Sequence, residues 1–206
     1  MKPFIEHTGI VAPLMRININ TDDIIPSREI TTVHREGLKD GLFAEWRYIS
    51  LKTREENPNF VLNQNPFKKA SILLTGDNFG CGSSREHAVW AIEQWGIRVI
   101  IASSFGSIFR NNCIQNGILP ISLKPNKIKS LQNFVEADPR KNQLTVNLEH
   151  SKMTTGDGTE YPFEIDPSDQ QKLLRGIDAI ELTLENINLI KEFEHKDKKL
   201  RPWVYF

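Results

Sequence analysis

Between Gly76 and Ala88 the chain reads Gly-Asp-Asn-Phe-Gly-Cys-Gly-Ser-Ser-Arg-Glu-His-Ala, which gathers three glycines, two serines, an arginine and a histidine into one short stretch. An apolar run, Ala70 to Thr75, precedes it, and Ala88, Ala91, Ile92 and Trp95 follow at helical spacing. The stretch therefore sits on a strand-to-helix junction. Gly76, Gly80 and Gly82 let the backbone turn sharply and approach a ligand, and the free N–H groups of a first helical turn face whatever lies above them. Ser83, Ser84 and Arg85 emerge together at the helix start. Arginine grips a carboxylate with two parallel hydrogen bonds, and the helix N-terminus adds a favourable field. The chemistry this suggests is the binding of a small carboxylate or phosphate.

Each of these residues also has a structural use. The loop matches neither the phosphate loop ending in Gly-Lys-Ser/Thr nor the dinucleotide fingerprint. Ser83 and Glu86 have capping-box spacing, so Ser83 either caps the helix or, if Ser84 is the cap, stays free at the loop apex. His87 is a candidate base or a hydrogen-bonded structural residue. Cys81 is a candidate thiol activated by the helix N-terminus, or a small buried filler. Asn20-Thr21-Asp22-Asp23 has the composition of a turn, and its spacing alone gives Asp22 no chemical role. Arg110-Asn111-Asn112-Cys113 reads as a polar network bracing the neighbouring loop.

The elements that must position these groups alternate. A strand is predicted over Gly9 to Ile19, then a polar turn, Asn20 to Pro26, and a charged exposed loop with one helical turn from Ser27 to Leu42. Trp46 to Phe67 reads as a surface connection. From Ala70 the order is strand to Thr75, helix Ser84 to Trp95 closed by Gly96, strand Ile97 to Ala102, helix Phe105 to Gln115 closed by Asn116-Gly117, and strand Ile118 to Leu123. This pattern implies an α/β fold with a parallel sheet, in which ligands sit at the carboxyl ends of strands. Downstream, a strand from Gln143 to Leu148 is expected to turn at Thr155 to Gly158 and return over Thr159 to Ile165 as its hairpin partner. A helix over Pro167 to Leu174 stops at Gly176, and the charged run Lys191 to Lys199 reads as a solvated helix face in a C-terminal tail.

Composition narrows the class further. The 206 residues, 39% hydrophobic and 25% charged, suit one domain spanning 1–206 with a charged tail from about 191. Basic and acidic residues balance at 26 each, which argues against nucleic acid or a membrane surface as partner. Two cysteines, Cys81 and Cys113, are too few for a metal site or a disulfide framework and fit a reducing cytoplasm. No apolar run approaches the roughly 20 residues that span a bilayer, and the first residues lack the apolar core of a signal peptide. A cytoplasmic location is expected.

The segment Asn78 to Ala88 closely resembles the signature of the 3-isopropylmalate dehydratase small-subunit family, in the aconitase superfamily. Further blocks are similar in order: Asn20 to Pro26; Leu42-Phe43 with Trp46-Arg47; and Ser104-Phe105, Ile108-Phe109, Asn111-Asn112, Asn116-Gly117 and Leu119-Pro120-Ile121. The resemblance runs from about residue 10 to 190. It implies a swivelling β/β/α domain of the aconitase C-terminal-domain type, with a mostly parallel core sheet, a β-hairpin and a C-terminal helix. It also implies a hydro-lyase that is active only as a heterodimer. The large subunit would carry a [4Fe–4S] cluster, and this chain would hold no metal.

The implied reaction isomerises 2-isopropylmalate to 3-isopropylmalate by dehydration and rehydration in leucine biosynthesis. By the same resemblance Ser83 matches the serine that acts as alkoxide on the carbon-bound proton, and Ser84, Arg85, Asp22 and Gly82 match substrate-binding positions. Ser27, Arg28, Glu29, Ile30, Thr31 and Thr32 match the substrate-selecting loop. This chain departs from the family there, where a lysine followed by more apolar residues is usual, and at Val89, where proline is more frequent. A related hydro-lyase acting on citraconate, a methylmalate or another small carboxylic acid is the alternative, as is a non-catalytic anion-binding regulatory module.

Overall fold

The computed structural model describes residues 1–30, 35–83 and 85–205. The elements begin with β1 (Glu6–Leu14), α1 (Thr21–Ile24), α2 (Ala44–Arg47), β2 (Tyr48–Ser50) and β3 (Glu55–Glu56). The central run is β4 (Ile72–Thr75), α3 (Glu86–Trp95), β5 (Val99–Ala102), α4 (Ser107–Gln115), β6 (Leu119–Ser122) and α5 (Pro125–Ala137). Then come β7 (Gln143–Asn147), β8 (Lys152–Thr155), β9 (Glu160–Pro162), α6 (Pro167–Arg175), α7 (Ala179–Leu184) and α8 (Ile187–Leu200).

Seven strands form one sheet in the order β6-β5-β4-β1-β7-β8-β9. The first four run parallel, and the remainder pair antiparallel. This is the expected α/β fold with a parallel core. Every residue of β4 and β5 is buried, so both faces of the sheet are covered at its centre. β1 joins the two halves: Val11 to Leu14 pair with β4, and Glu6 to Ile10 pair with β7. Gly9 sits at that junction because a Cβ there would come within 2.0 Å of Ser71 Oγ. Beside it His7 Nε2 lies 2.7 Å from the same hydroxyl.

Several expectations need correcting. β1 stops at Leu14, because Met15 to Asn18 form an exposed turn. Asn20 to Pro26 is not a plain turn but holds α1, closed by a reciprocal capping box in which Asn20 Oδ1 accepts from Asp23 N (2.8 Å) and Asp23 Oδ2 accepts from Asn20 N (2.9 Å). The connection from Trp46 to Phe67 carries β2 and β3 and sends Phe60 and Leu62 into the core. The partner of β7 is β8, and the turn Thr155 to Gly158 links β8 to β9 instead. Helix α5 has no counterpart in the sequence expectations. It opens with Pro125 at its first turn, buries Ile128, Leu131 and Val135, and packs on β1 and β4. The charged run lies on α8 and is exposed as expected, apart from Asp197, which is held by Arg201 Nε and Tyr205 Oη, each at 2.8 Å.

Candidate active site

The glycine loop leaves the carboxyl end of β4 and is stitched to the segments that continue from β1 and β5, the two strands flanking β4. On the β1 side Asp77 O accepts from Asn18 N (2.9 Å), Ile19 O accepts from Gly80 N (2.7 Å), and Cys81 O accepts from Thr21 N (3.1 Å). On the β5 side Phe79 N donates to Ser104 O (3.1 Å), Gly106 N donates to Phe79 O (2.9 Å), and Ser104 Oγ donates to Asp77 Oδ1 (2.7 Å). Three adjacent parallel strands thus deliver their loops to one place, as ligand sites in such sheets require. Gly80 has φ +71°, and a Cβ there would lie 2.2 Å from the ring of Phe109, so only glycine fits between this loop and α4.

Ser83 is exposed, and its hydroxyl makes no hydrogen bond among the described residues. Its carbonyl is fixed by Thr21 Oγ1 at 2.7 Å. The capping-box reading of Ser83 fails: α3 begins at Glu86 with Arg85 at the N-cap, and the Glu86 carboxylate is engaged by Asn116 Nδ2 at 3.1 Å. Ser84, Thr31 and Thr32 lie outside the described residues. Arg85 Nη1 donates both to Asp22 Oδ1 (2.8 Å) and to Ser27 Oγ (2.6 Å), so the glycine loop, α1 and the segment after Pro26 meet at one guanidinium. Because Asn20 and Asp23 complete the α1 cap, Asp22 is left free for Arg85.

The segment from Ser27 divides. Arg28 pairs with Glu45 (2.8 Å), and Glu29 pairs with Arg54 (2.6 Å). Ser27 and Ile30 instead line a cleft of about 550 Å³ together with Arg85, Glu86, His87 and Trp90. Asp22 borders an adjoining hollow of about 370 Å³ with Ser27, Arg28 and Glu45. Gly82, at φ +84°, and Cys81 line a smaller one of about 250 Å³ beside Gly106 and Phe109. A larger hollow of about 790 Å³, between the start of α5 and β9, contains no signature residue.

His87 lies with its ring 4.8 Å from that of Trp90 at 62°. Cys81 is half-buried; the fully buried cysteine is Cys113, whose thiol burial pushes well up from its ordinary pKa. Within the cluster Arg110 to Cys113, Arg110 pairs with Asp169 of α6 at 3.2 Å. Phe109 and Ser104 brace the glycine loop. Thr21, Trp90 and Asn116 also reach the site, although none of them was expected as a site residue. The pattern Asn20-x-x-Asp23 was the one local signal that could have marked α1. Among the described residues no three His, Cys, Asp or Glu side chains could hold a metal ion, and no helix is long and apolar enough to cross a membrane.

Fold and site together define a domain of the aconitase C-terminal class, and the family model described as Aconitase C-terminal domain matches residues 1–126, with a second, described as LeuD_N, matching 129–167. Relatives named 3-isopropylmalate dehydratase small subunit include one from Cupriavidus necator, 49% identical over 206 residues (100% of this chain, 99% of that one). Another, from Roseobacter denitrificans, is 48% identical over 204 residues (99% and 100%). The chain belongs to the 3-isopropylmalate dehydratase small-subunit family. The crystal structure of 3-isopropylmalate dehydratase from Methanocaldococcus jannaschii shares the fold, with a TM-score of 0.64 at 24% identity over 91% of this chain and 99% of that one.

Proposed function

We infer that this chain is the small subunit of a 3-isopropylmalate dehydratase, isomerising 2-isopropylmalate to 3-isopropylmalate by loss and return of water in leucine biosynthesis, in complex with a large subunit. The observation that carries the reading is an exposed Ser83 hydroxyl, without a hydrogen bond among the described residues, two positions before an Arg85 held in place by Asp22 and Ser27. Thr21 fixes the Ser83 backbone while leaving its hydroxyl available. As alkoxide, Ser83 takes the proton from the substrate carbon; the C–H electrons form the double bond as hydroxide departs, and the reverse steps rehydrate the neighbouring carbon. A serine is a weak base, so its charged form needs a nearby cation and aligned N–H donors, which Arg85 and the glycine loop supply.

Arg85 binds a substrate carboxylate, with Asp22 and Ser27 setting its direction; Ser84 and Gly82 complete the binding surface, and Ser27 to Thr32 select the side group. The site is open to solvent, which suits half of an active site closed by another chain. By the family resemblance, a [4Fe–4S] cluster held by that partner would supply the Lewis acid for the departing hydroxide. The two free cysteines fit the reducing cytoplasm.

Ser83→Ala tests the assignment. In the reconstituted two-subunit enzyme, turnover of 2-isopropylmalate is expected to fall about 10²–10⁴-fold, the range for loss of a general base, while size-exclusion chromatography still shows the complex. Retention of near-normal turnover removes Ser83 from the chemistry.

A further inference from the structure

We propose that Trp90 is a specificity-determining residue, forming with Ile30 the two walls of a subsite that receives the substrate's branched apolar group. The proposal rests on the functional reading above, and nothing in the signature motif assigns it. Arg85 and Trp90 line the same cleft, and Ile30 lines it too, from the segment after Pro26. Arg85 stands at the N-cap of α3 and Trp90 in its second turn, separated by about 7.5 Å of helix rise. A small branched diacid covers that distance with a carboxylate on the guanidinium and its alkyl group on the indole.

The ring is also held rigidly. Trp90 Nε1 donates to Asn116 Oδ1 at 3.1 Å, and Asn116, only 5% exposed, donates from Nδ2 to Glu86 Oε1 (3.1 Å) and to Asn112 O (2.9 Å). Turning the indole would leave a buried amide oxygen unpaired, so the wall keeps its place. The Arg35 guanidinium lies 4.9 Å from the ring centre and His87 packs edge-on to the ring. Trp90 is nonetheless only partly buried, so apolar ring surface remains within the cleft, beside an arginine suited to a carboxylate. A site for a carboxylic acid without an apolar branch has no use for such a surface.

The test compares 2-isopropylmalate with 2-methylmalate, which has the same diacid skeleton and a methyl in place of isopropyl, using the assembled two-subunit enzyme. Trp90→Ala is expected to lower the ratio of kcat/KM for 2-isopropylmalate over 2-methylmalate about tenfold or more, the scale on which a hydrophobic pocket reads extra carbons, with the loss in KM. Trp90→Phe, which keeps an aromatic wall, should hold that ratio within about threefold. Ile30→Ala, in the same cleft, should move it in the same direction as Trp90→Ala and carries the test if that variant does not fold. Equal losses on both diacids, or an unchanged ratio in both alanine variants, overturn the subsite. Wild-type enzyme inactive on both diacids would instead overturn the functional reading beneath it.

Discussion

Arg85 gives the glycine loop its direction, because one guanidinium nitrogen serves Asp22 and Ser27 at once, the latter 58 residues away in the chain. The ion pair is partly solvated and adds little to stability; its effect is to aim a cation. The glycines behind it differ in what they tolerate. Gly80 combines φ +71° with a ring 2.2 Å from any added Cβ, whereas Gly82, at φ +84°, has its nearest neighbour at 3.6 Å. Gly80→Ala should therefore cost about 3 kcal/mol, from strain plus overpacking, and Gly82→Ala about 1 kcal/mol, from strain alone. Urea unfolding of the two variants measures this, and equal costs would contradict the geometry. Glycine at both positions could be read from the sequence, but not this difference, since Phe109 reaches Gly80 only through the packing of α4.

At the scale of elements, β1 is where the parallel and antiparallel halves of the sheet meet, and His7 marks the join. Burial, reinforced by the nearby Arg98 charge, holds the His7 pKa below its ordinary value of 6.5. The unfolded chain therefore binds the proton more readily than the folded one. Stability should rise with pH up to the unfolded pKa and be lost as pH falls from there through the lower folded pKa. Melting temperatures at pH 8 and pH 5 should show this decline, and His7→Gln should lessen it; an identical decline in the variant would assign the effect elsewhere. The strand–helix–strand series from β4 to β6 was legible because its apolar runs and closing Gly96 and Asn116-Gly117 are local signals. α1 and α5 were not singled out, the first being only four residues long and the second opening on Lys, Pro and Asn.

Across the whole molecule the C-terminal helix stands apart. α8 packs mainly against its own terminal turn, Pro202–Val204, and leaves Leu189, Phe193 and Leu200 exposed at 65%, 61% and 74%. Asp197 is satisfied within the same tail, while Arg175 ties α6 to Glu185 ahead of α8. Removing residues 187–206 should leave the sheet domain folded, with a melting temperature changed by less than about 3 °C. A larger fall would mean that α8 supports the core. The open site makes a second prediction at this scale: the isolated chain should give no isomerisation of 2-isopropylmalate, with activity appearing on addition of its large subunit. Turnover by the chain alone would refute the division of the active site between two chains.

The sequence by itself determined the strand–glycine loop–helix junction, the parallel α/β core and the family, because each is written in residues close together in the chain. The resemblance also singled out Ser83, Arg85 and Asp22 by type. Only the tertiary structure decided that Asp22 and Ser27 share Arg85, that Ser83 does not cap α3, and that Trp90 and Ile30 line one cleft. Those relations depend on β1 lying beside β4 and on α1 folding over the start of α3. Which strand becomes whose neighbour is settled by burying the whole core at once, and no local spacing encodes it.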